Sequence, residues 1–397
     1  MNLILDDVAK FITSKVDISE IDETNYISTE NMLPNKGGVG LASSLPDTKF
    51  VRKYLPKDIL ISNIRPYFKK IWFANKEGGC SNDVFVLRAN EKYDPRFLYY
   101  VLSSDDFFKY VMANAKGTKM PRGDKKAMLN YRVPDFSIEN QQKISLFLSK
   151  IDKRIEINDK INNILEDLLK NIFFQWFINF KDYNGTFKDS ELGKIPVNWE
   201  ILELNDLVEV IDNRGKTPPL VENNFDYPII DVKALNGGNR IINFDNCSKY
   251  VDKNTYKNWF RSGHPQDFDI LISTVGSICE LKLFLGSKGC LAQNVVAFRS
   301  KDKYSLYLYQ YLKYIKRDLE AYNIGSVQPS IKVTHILKHN ILIPNDAILD
   351  SFNHLSLNIT KLIYNNSIEI QRLINLRENL LPKLMSNEID ISKIHSI

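Results

Sequence analysis

The chain has 397 residues, 44% of them hydrophobic and 11% aromatic, and a formal net charge of +5. It is too long for one core and too apolar for disorder, so two or three globular domains are expected. No apolar run approaches the roughly 18 residues that cross a bilayer, and the start, MNLILDDVAKF, lacks a basic leader, so a cytoplasmic protein is expected.

Leu3 to about Phe136 reads as short strands and turns. FVRKYLPKDILISNIRPYFKKIWFA and CSNDVFVLRA alternate apolar and polar residues with Pro and Gly between them, and one helix is expected over Pro95 to Ala115. Val51 to Arg132 holds 17 Lys/Arg against 8 Asp/Glu, whereas residues 1 to 50 hold 4 against 8. Such unevenness suggests a polyanionic partner; the plainer alternative is a solvated lysine surface. Cys80, Cys247, Cys279 and Cys290 form no C-x-x-C pair and sit among apolar residues, which predicts buried free thiols rather than disulfides or a metal site.

Ile138 to Phe177 contains neither Pro nor Gly and reads as one long helix. Ile144, Leu148, Ile151, Ile155, Ile161, Leu165, Leu168 and Ile172 recur at helical spacing in a narrow stripe, the seam of a coiled coil. At about 1.5 Å per residue the helix reaches roughly 60 Å, a spacer's length. Its partner is within the chain: Phe352, Leu355, Ile359, Leu362, Leu373, Leu376 and Leu380 repeat the pattern between Ile348 and Leu381. Asn158 and Asn366 interrupt the two stripes. Each either fixes the register of the seam at a cost in stability or turns to water, because one sequence does not set the seam phase.

Lys181 to Trp199 loses periodicity and carries Gly185, Gly193 and Pro196, as a linker does. Then the pattern restarts. LNDLVEVI at Leu204 echoes LDDVAKFI at Leu5, DILIS at Asp269 repeats DILIS at Asp58, and LAQNVVAFR (Leu291 to Arg299) matches CSNDVFVLR (Cys80 to Arg88). Gly325 and Pro329 match Gly117 and Pro121, and Ile343-Pro344 matches Val133-Pro134. The fold class expected is α+β: two similar mixed β/α domains, separated by two long helices paired as an antiparallel coiled coil, with pseudo-two-fold internal symmetry. The expected divisions are 1–137 and 196–345 for the domains, 138–178 and 346–386 for the spacer helices, 179–195 for the linker and 387–397 for a tail.

The string ENQQKI (Glu139 to Ile144) leading into a long helix, Trp199 followed by Leu204 to Ile211 and Arg214 to Pro218, and Gly325 to Gln328 together resemble the specificity subunit of type I restriction-modification systems. The resemblance covers nearly the whole chain. It implies two target-recognition domains that each read half of a split, asymmetric double-stranded DNA sequence, and helices that set the gap between halves. It further implies no chemistry in this chain and no cofactor. Two DNA-methyltransferase subunits would dock on the helical body and modify adenine, and motor and endonuclease subunits would join for cleavage. The first domain has ITSKVDISEI (Ile12 to Ile21) where the second has IDNRGKTPPL, so the halves are expected to read different sequences.

The residues themselves offer little catalytic chemistry. Arg-Gly-Lys-Thr at 214 to 217 ends like a phosphate-binding loop, but Val210 stands where the first glycine belongs. No Asn/Asp-Pro-Pro-Tyr/Phe methylating motif occurs, and His335 and His339 lack the third ligand a zinc site needs. Asp269 with Glu280 and Lys282 has the residue types of a metal-dependent nuclease, the main alternative, with a coiled-coil protein scaffold as the other. For DNA reading, phosphates call for Lys/Arg and base edges for Arg, Asn or Gln presented from turns. In the first domain the candidates are Asn63, Arg65, Lys69 and Lys70, beside Tyr67 and Phe68, and Thr118, Lys119, Arg122, Lys125 and Lys126 in a basic turn-rich loop. In the second they are Arg214, Lys216, Thr217, Thr274, Ser277, Ser326, Gln328, Ser330 and Lys332.

Overall fold

The computed structural model describes residues 3–181, 183–222, 226–286 and 288–389; none of its helices there is long and apolar enough to cross a membrane. Packing divides the chain into two units, Met1–Arg154 with Arg372–Ile397, and Ile155–Gln371. Two long helices, Ile138–Phe173 and Asp346–Met385, contribute to both.

The first unit is built on an antiparallel sheet of Ala9–Phe11, Val84–Ala89, Ile59–Ser62 and Ile71–Phe73, in that order. Ile59–Ser62 is buried along its whole length, because both faces of the sheet are covered. Leu60, Val84 and Val86 join Ile27, Met32, Tyr54 and Cys80 on one side, and helix Pro95–Leu102 packs against strands Val84–Ala89 and Ile71–Phe73. A second sheet runs Lys15–Asp17, Phe50–Tyr54, Gly78–Cys80 and Tyr26–Ile27, the last pair parallel. The helix expected over Pro95 to Ala115 is two, Pro95–Leu102 and Asp105–Ala113. Ser104 between them turns its hydroxyl to the Phe107 amide at 3.2 Å, and this cap starts a new helix.

The second unit repeats the first sheet strand for strand: Val208–Ile211, Val295–Ser300, Ile270–Ser273 and Leu281–Leu283. Ile59 faces Leu87 as Ile270 faces Phe298, so one offset of 211 (270 − 59 and 298 − 87) carries ladder onto ladder. Each copy clips its central strands with the same ion pair, a buried aspartate held by a part-exposed arginine. Arg88 donates to both oxygens of Asp58 at 2.7 Å, and Arg299 to both of Asp269 at 3.2 and 2.8 Å. All four cysteines are free and buried, and burial pushes each thiol up to about 12.

The segment expected to be an irregular linker contains a hairpin, Phe187–Ser190 against Gly193–Pro196. Its first strand is almost wholly exposed, so it lacks the apolar alternation by which a strand is recognised. Of the tail, Asn387 to Ile389 are described; 390–397 lie outside the described residues.

Within the second unit the helices pair antiparallel: Asn366 donates to Asn162 at 3.0 Å, Leu169 packs with Ile359 and Ile363, and Phe173 meets Phe352. The expected stripe is buried at Ile144, Leu148 and Ile151 and at Phe352 and Ile359, and the seam departs from it beyond Ile155. After Ile155 the inward positions are buried Asn158 and Asn162, half-buried Leu165 and buried Leu169, keeping the 4-3 heptad rhythm with Glu166 buried beside them, whereas Ile161 and Leu168 are exposed, as are Leu362 and Leu376 on the second helix. A heptad continued through two asparagines keeps its phase; the apolar-only stripe jumped six residues to Ile161 and left it. Asn158 is buried with no partner for its amide nitrogen among the described residues, and the amide that Asn366 meets is that of Asn162.

Polar clusters tie each globule to the helices. In the first unit Tyr100 and Arg377 both donate to Asp152 at 2.6 Å. In the second, fully buried Arg240 donates to both oxygens of Glu166 at 2.9 and 3.0 Å and to Thr360 at 2.8 Å, above the ring of Tyr309.

Candidate nucleic-acid interface

In each unit two loops meet at the end of the sheet. The turn after Ile59–Ser62 reaches the basic loop through an Ile64–Arg122 bridge, and the turn after Ile270–Ser273 reaches the matching loop through Val275–Ser330. The first unit's turn is forced by Arg65 and Lys69, both left-handed (φ 50° each), around Pro66–Phe68. That geometry leaves Arg65, Tyr67 and Phe68 exposed.

The neighbouring cations divide into engaged and available groups. Lys69 is paired with Asp105 at 2.8 Å, Lys70 donates to the Thr29 carbonyl at 2.6 Å, and Arg122 is paired with Asp83 at 2.9 Å. Lys125 lies over the rings of Phe11 and Phe85 at 5.2 and 4.9 Å, where burial lowers its pKa. Arg65, Lys119 and Lys126 are exposed and form no ion pair among the described residues. Thr118 is exposed on the same loop, while Asn63 is half-buried with its side-chain oxygen enclosed.

In the second unit the loop of Asp212 to Thr217 is stapled to Arg261–Gly263. Asn213 accepts from the Ser262 amide at 2.9 Å and donates to the Gly263 carbonyl at 2.8 Å, and Arg261 donates to the Arg214 carbonyl at 2.8 Å. Arg214 is held by both oxygens of Asp212, which keeps that carboxyl below its ordinary range despite burial. An open pocket of about 440 Å³ results, lined by Asn213, Arg214, Lys216, Asn258, Trp259 and Arg261. Trp259 and Arg261 were not among the sequence candidates; the signal available was an aromatic and a cation together in NWFRSGH. Lys216 is exposed, and Thr217 accepts from Gln293 at 2.9 Å.

Thr274 is fully buried and spends its amide on the Asn294 carbonyl, so it supports the loop and does not face a ligand. Ser277, Ser326, Gln328 and Lys332 are exposed, and Ser330 is half-buried at the loop's base.

The nuclease trio does not assemble. The Asp269 carboxylate is occupied by Arg299 and the Gln266 amide, Glu280 is paired with Lys316 at 2.8 Å, and Lys282 donates to the carbonyls of Gly237 and Asn239. Burial pushes the Lys282 amine down to about 8. Among the described residues no three His, Cys, Asp or Glu cluster as metal ligands. The Arg-Gly-Lys-Thr loop leads into no helix, which a phosphate cradle requires.

The family model for the type I restriction modification DNA specificity domain matches residues 4–167 and 196–372. Among curated proteins, the chain is 26% identical over 307 residues to the specificity subunit of the type I restriction enzyme MjaIX of Methanocaldococcus jannaschii, covering 75% of this chain and 70% of that protein. It is 25% identical to the MjaVIII specificity subunit of the same organism, over 98% of this chain and 92% of that one. Among solved structures, the S subunit of a type I restriction-modification system from M. genitalium matches with a TM-score of 0.56 at 16% identity, over 96% and 95% of the two chains.

Proposed function

The chain belongs to the type I restriction-modification DNA specificity family, and on that premise we propose that each unit reads one half of a two-part DNA sequence on behalf of a methylating and cleaving complex. The observation that carries this reading is the duplicated pair of bridged loops, one pair per unit, at the same end of the same sheet. The loop surfaces differ in side chains: Arg65, Lys119 and Lys126 in the first unit, and Gln328 and Lys332 in the second, where Lys216 and Arg261 stand on a separate stapled loop. Different loops on one scaffold fit an asymmetric target. Of the other candidates, Arg214, Thr217, Thr118, Ser277, Ser326 and Ser330 lie beside these groups and are assigned to phosphate or sugar contact. Lys69, Lys70, Lys125 and Asn63 are assigned to shaping the first surface from behind, while Arg122, exposed and paired with Asp83, lies on it.

The chain supplies no chemistry of its own in this reading. Two methyltransferase subunits dock on the helices and modify adenine, and motor and endonuclease subunits join them for cleavage. Ile157, Ile161, Ile164 and Leu168 support such docking: they form an exposed apolar stripe with 4-3-4 spacing on the outer side of the first long helix.

The test is a genome-wide map of methylated adenine with and without this gene. One bipartite, asymmetric sequence is expected to lose methylation in the deletion strain; an unchanged map would overturn the reading. A second expectation concerns Gly325, where an added Cβ would lie 1.9 Å from the Gln328 carbonyl oxygen. Backbone strain of about 1–3 kcal/mol in this loop should weaken binding at the second half-site by roughly tenfold in Gly325→Ala. Competition assays on the mapped duplex should show that loss, and the same strain should lower the thermal midpoint by about 2–4 °C per kcal/mol.

A further inference from the structure

We propose that Val327 reads the C5-methyl group of a thymine in the half-site of the second unit. This rests on the DNA-reading function above and goes beyond it by naming a residue, an atom group and a base.

Val327 is 98% exposed, the most open of the large apolar side chains in the described structure. It does not sit on a loose loop. Asn323 accepts from the amides of Gly325 and Ser330 at 3.0 and 2.9 Å, and Ile324 donates to the Ser330 carbonyl at 2.9 Å. The Gly276 amide donates to the Pro329 carbonyl and the Ile331 amide to Thr274, both at 2.9 Å, so the loop is also fastened to the turn beyond the sheet. The side chain at its tip is β-branched and has few rotamers to lose on contact. A stiff loop that holds an apolar group fully in water is prepared for an apolar contact made elsewhere.

The immediate neighbours, Ser326, Gln328 and Ser330, are small or amide side chains suited to base edges. Tyr322 lies back from the tip against His335 and His339. In the major groove of DNA the apolar feature that distinguishes one base from the others is the thymine methyl. In the first unit the matching loop position, counted from Gly117 and Gly325, is Lys119, which has no such preference. The two loops therefore read their halves by different chemistry.

The experiment uses the full chain with its methylating partners and duplexes bearing the mapped sequence. Each thymine of the second half-site is replaced in turn by uracil, which removes the methyl group alone, and binding is measured for the native chain and for Val327→Ala. At one position the native chain should lose about fourfold in affinity, while Val327→Ala should already be weaker and lose nothing further. Equal losses in both chains at every position, unchanged binding by Val327→Ala, or a second half-site without thymine on either strand would overturn the proposal and leave the DNA-reading function standing. If the native complex binds no mapped sequence, that function fails first and this inference with it. The thermal midpoint of Val327→Ala should equal that of the native chain, because the side chain packs against nothing.

Discussion

Glu166→Ala should lower the thermal midpoint by on the order of 10 °C, through the second unit. Arg240 is fully buried and its guanidinium spans Glu166, Thr360 and the face of Tyr309, with Lys313 3.5 Å from the same carboxylate. Removing the carboxylate strands one buried cation and leaves a second close to it. Breaking a buried pair from one side costs about 3–5 kcal/mol, and each kcal/mol moves the midpoint of a unit this size by about 2–4 °C. Replacing both partners, as in Glu166→Leu with Arg240→Met, should recover most of the loss, since the fully buried cation goes with its carboxylate and only the part-exposed Lys313 loses a partner. The pH dependence has a definite sign. Burial raises the Glu166 pKa, but Arg240 and then Lys313 outweigh it, so the carboxyl lies below its ordinary 4.5. The stabilisation is complete above that value and disappears as pH falls through the lower folded value. Calorimetry of the native chain and the two variants across that range checks both statements; a single variant within about 2 °C of native would mean the cluster does not hold the unit together.

Shortening both helices by one heptad should change the preferred gap between the two DNA half-sites by about three base pairs. Seven residues remove about 10 Å of helix, and B-form DNA rises about 3.4 Å per step. The deletion can be placed where it preserves both polar pairings: removing Ile155 to Ile161 with Ile368 to Ile374 retains Asp152 with Arg377 and Asn162 with Asn366. Seven residues are nearly two full turns, so the seam keeps its face. Selection from duplexes that carry the mapped halves at varied separations would reveal the new optimum. An optimum that stays put would show that the helices do not set the gap. Both helices contribute residues to the two units, as a ruler between half-sites would have to.

The repeat was legible because it is a comparison of the chain with itself. DILIS at Asp58 and at Asp269, and the arginines at the ends of the following strands, are strings that recur at one offset, and the structure gives them one use, the Asp–Arg clip across the central strands. The basic stretch from Val51 to Arg132 was equally visible, but not what it contains. Lys69 and Lys70 satisfy partners far away in sequence, Arg122 is exposed but paired with Asp83, and Thr274 is enclosed, so charge or hydrogen-bonding capacity in a turn did not reveal which side chains are both outward and unengaged. Arg261 and Trp259 carry no such mark in the sequence, for the opposite reason. They reach the candidate surface only because Asn213 staples their loop to that of Arg214.

The amino-acid sequence alone determined the two long helices, their intramolecular pairing and the duplication, since periodicity and repetition are local or self-referential and survive without coordinates. The phase of the seam was settled only by tertiary structure, which ran it through Asn158 and Asn162 and left Ile161 and Leu168 to water. So was the joining of Arg240 to Glu166, 74 residues away. Burial of polar groups depends on finding partners at long range, and no pattern within a window records which partner that will be.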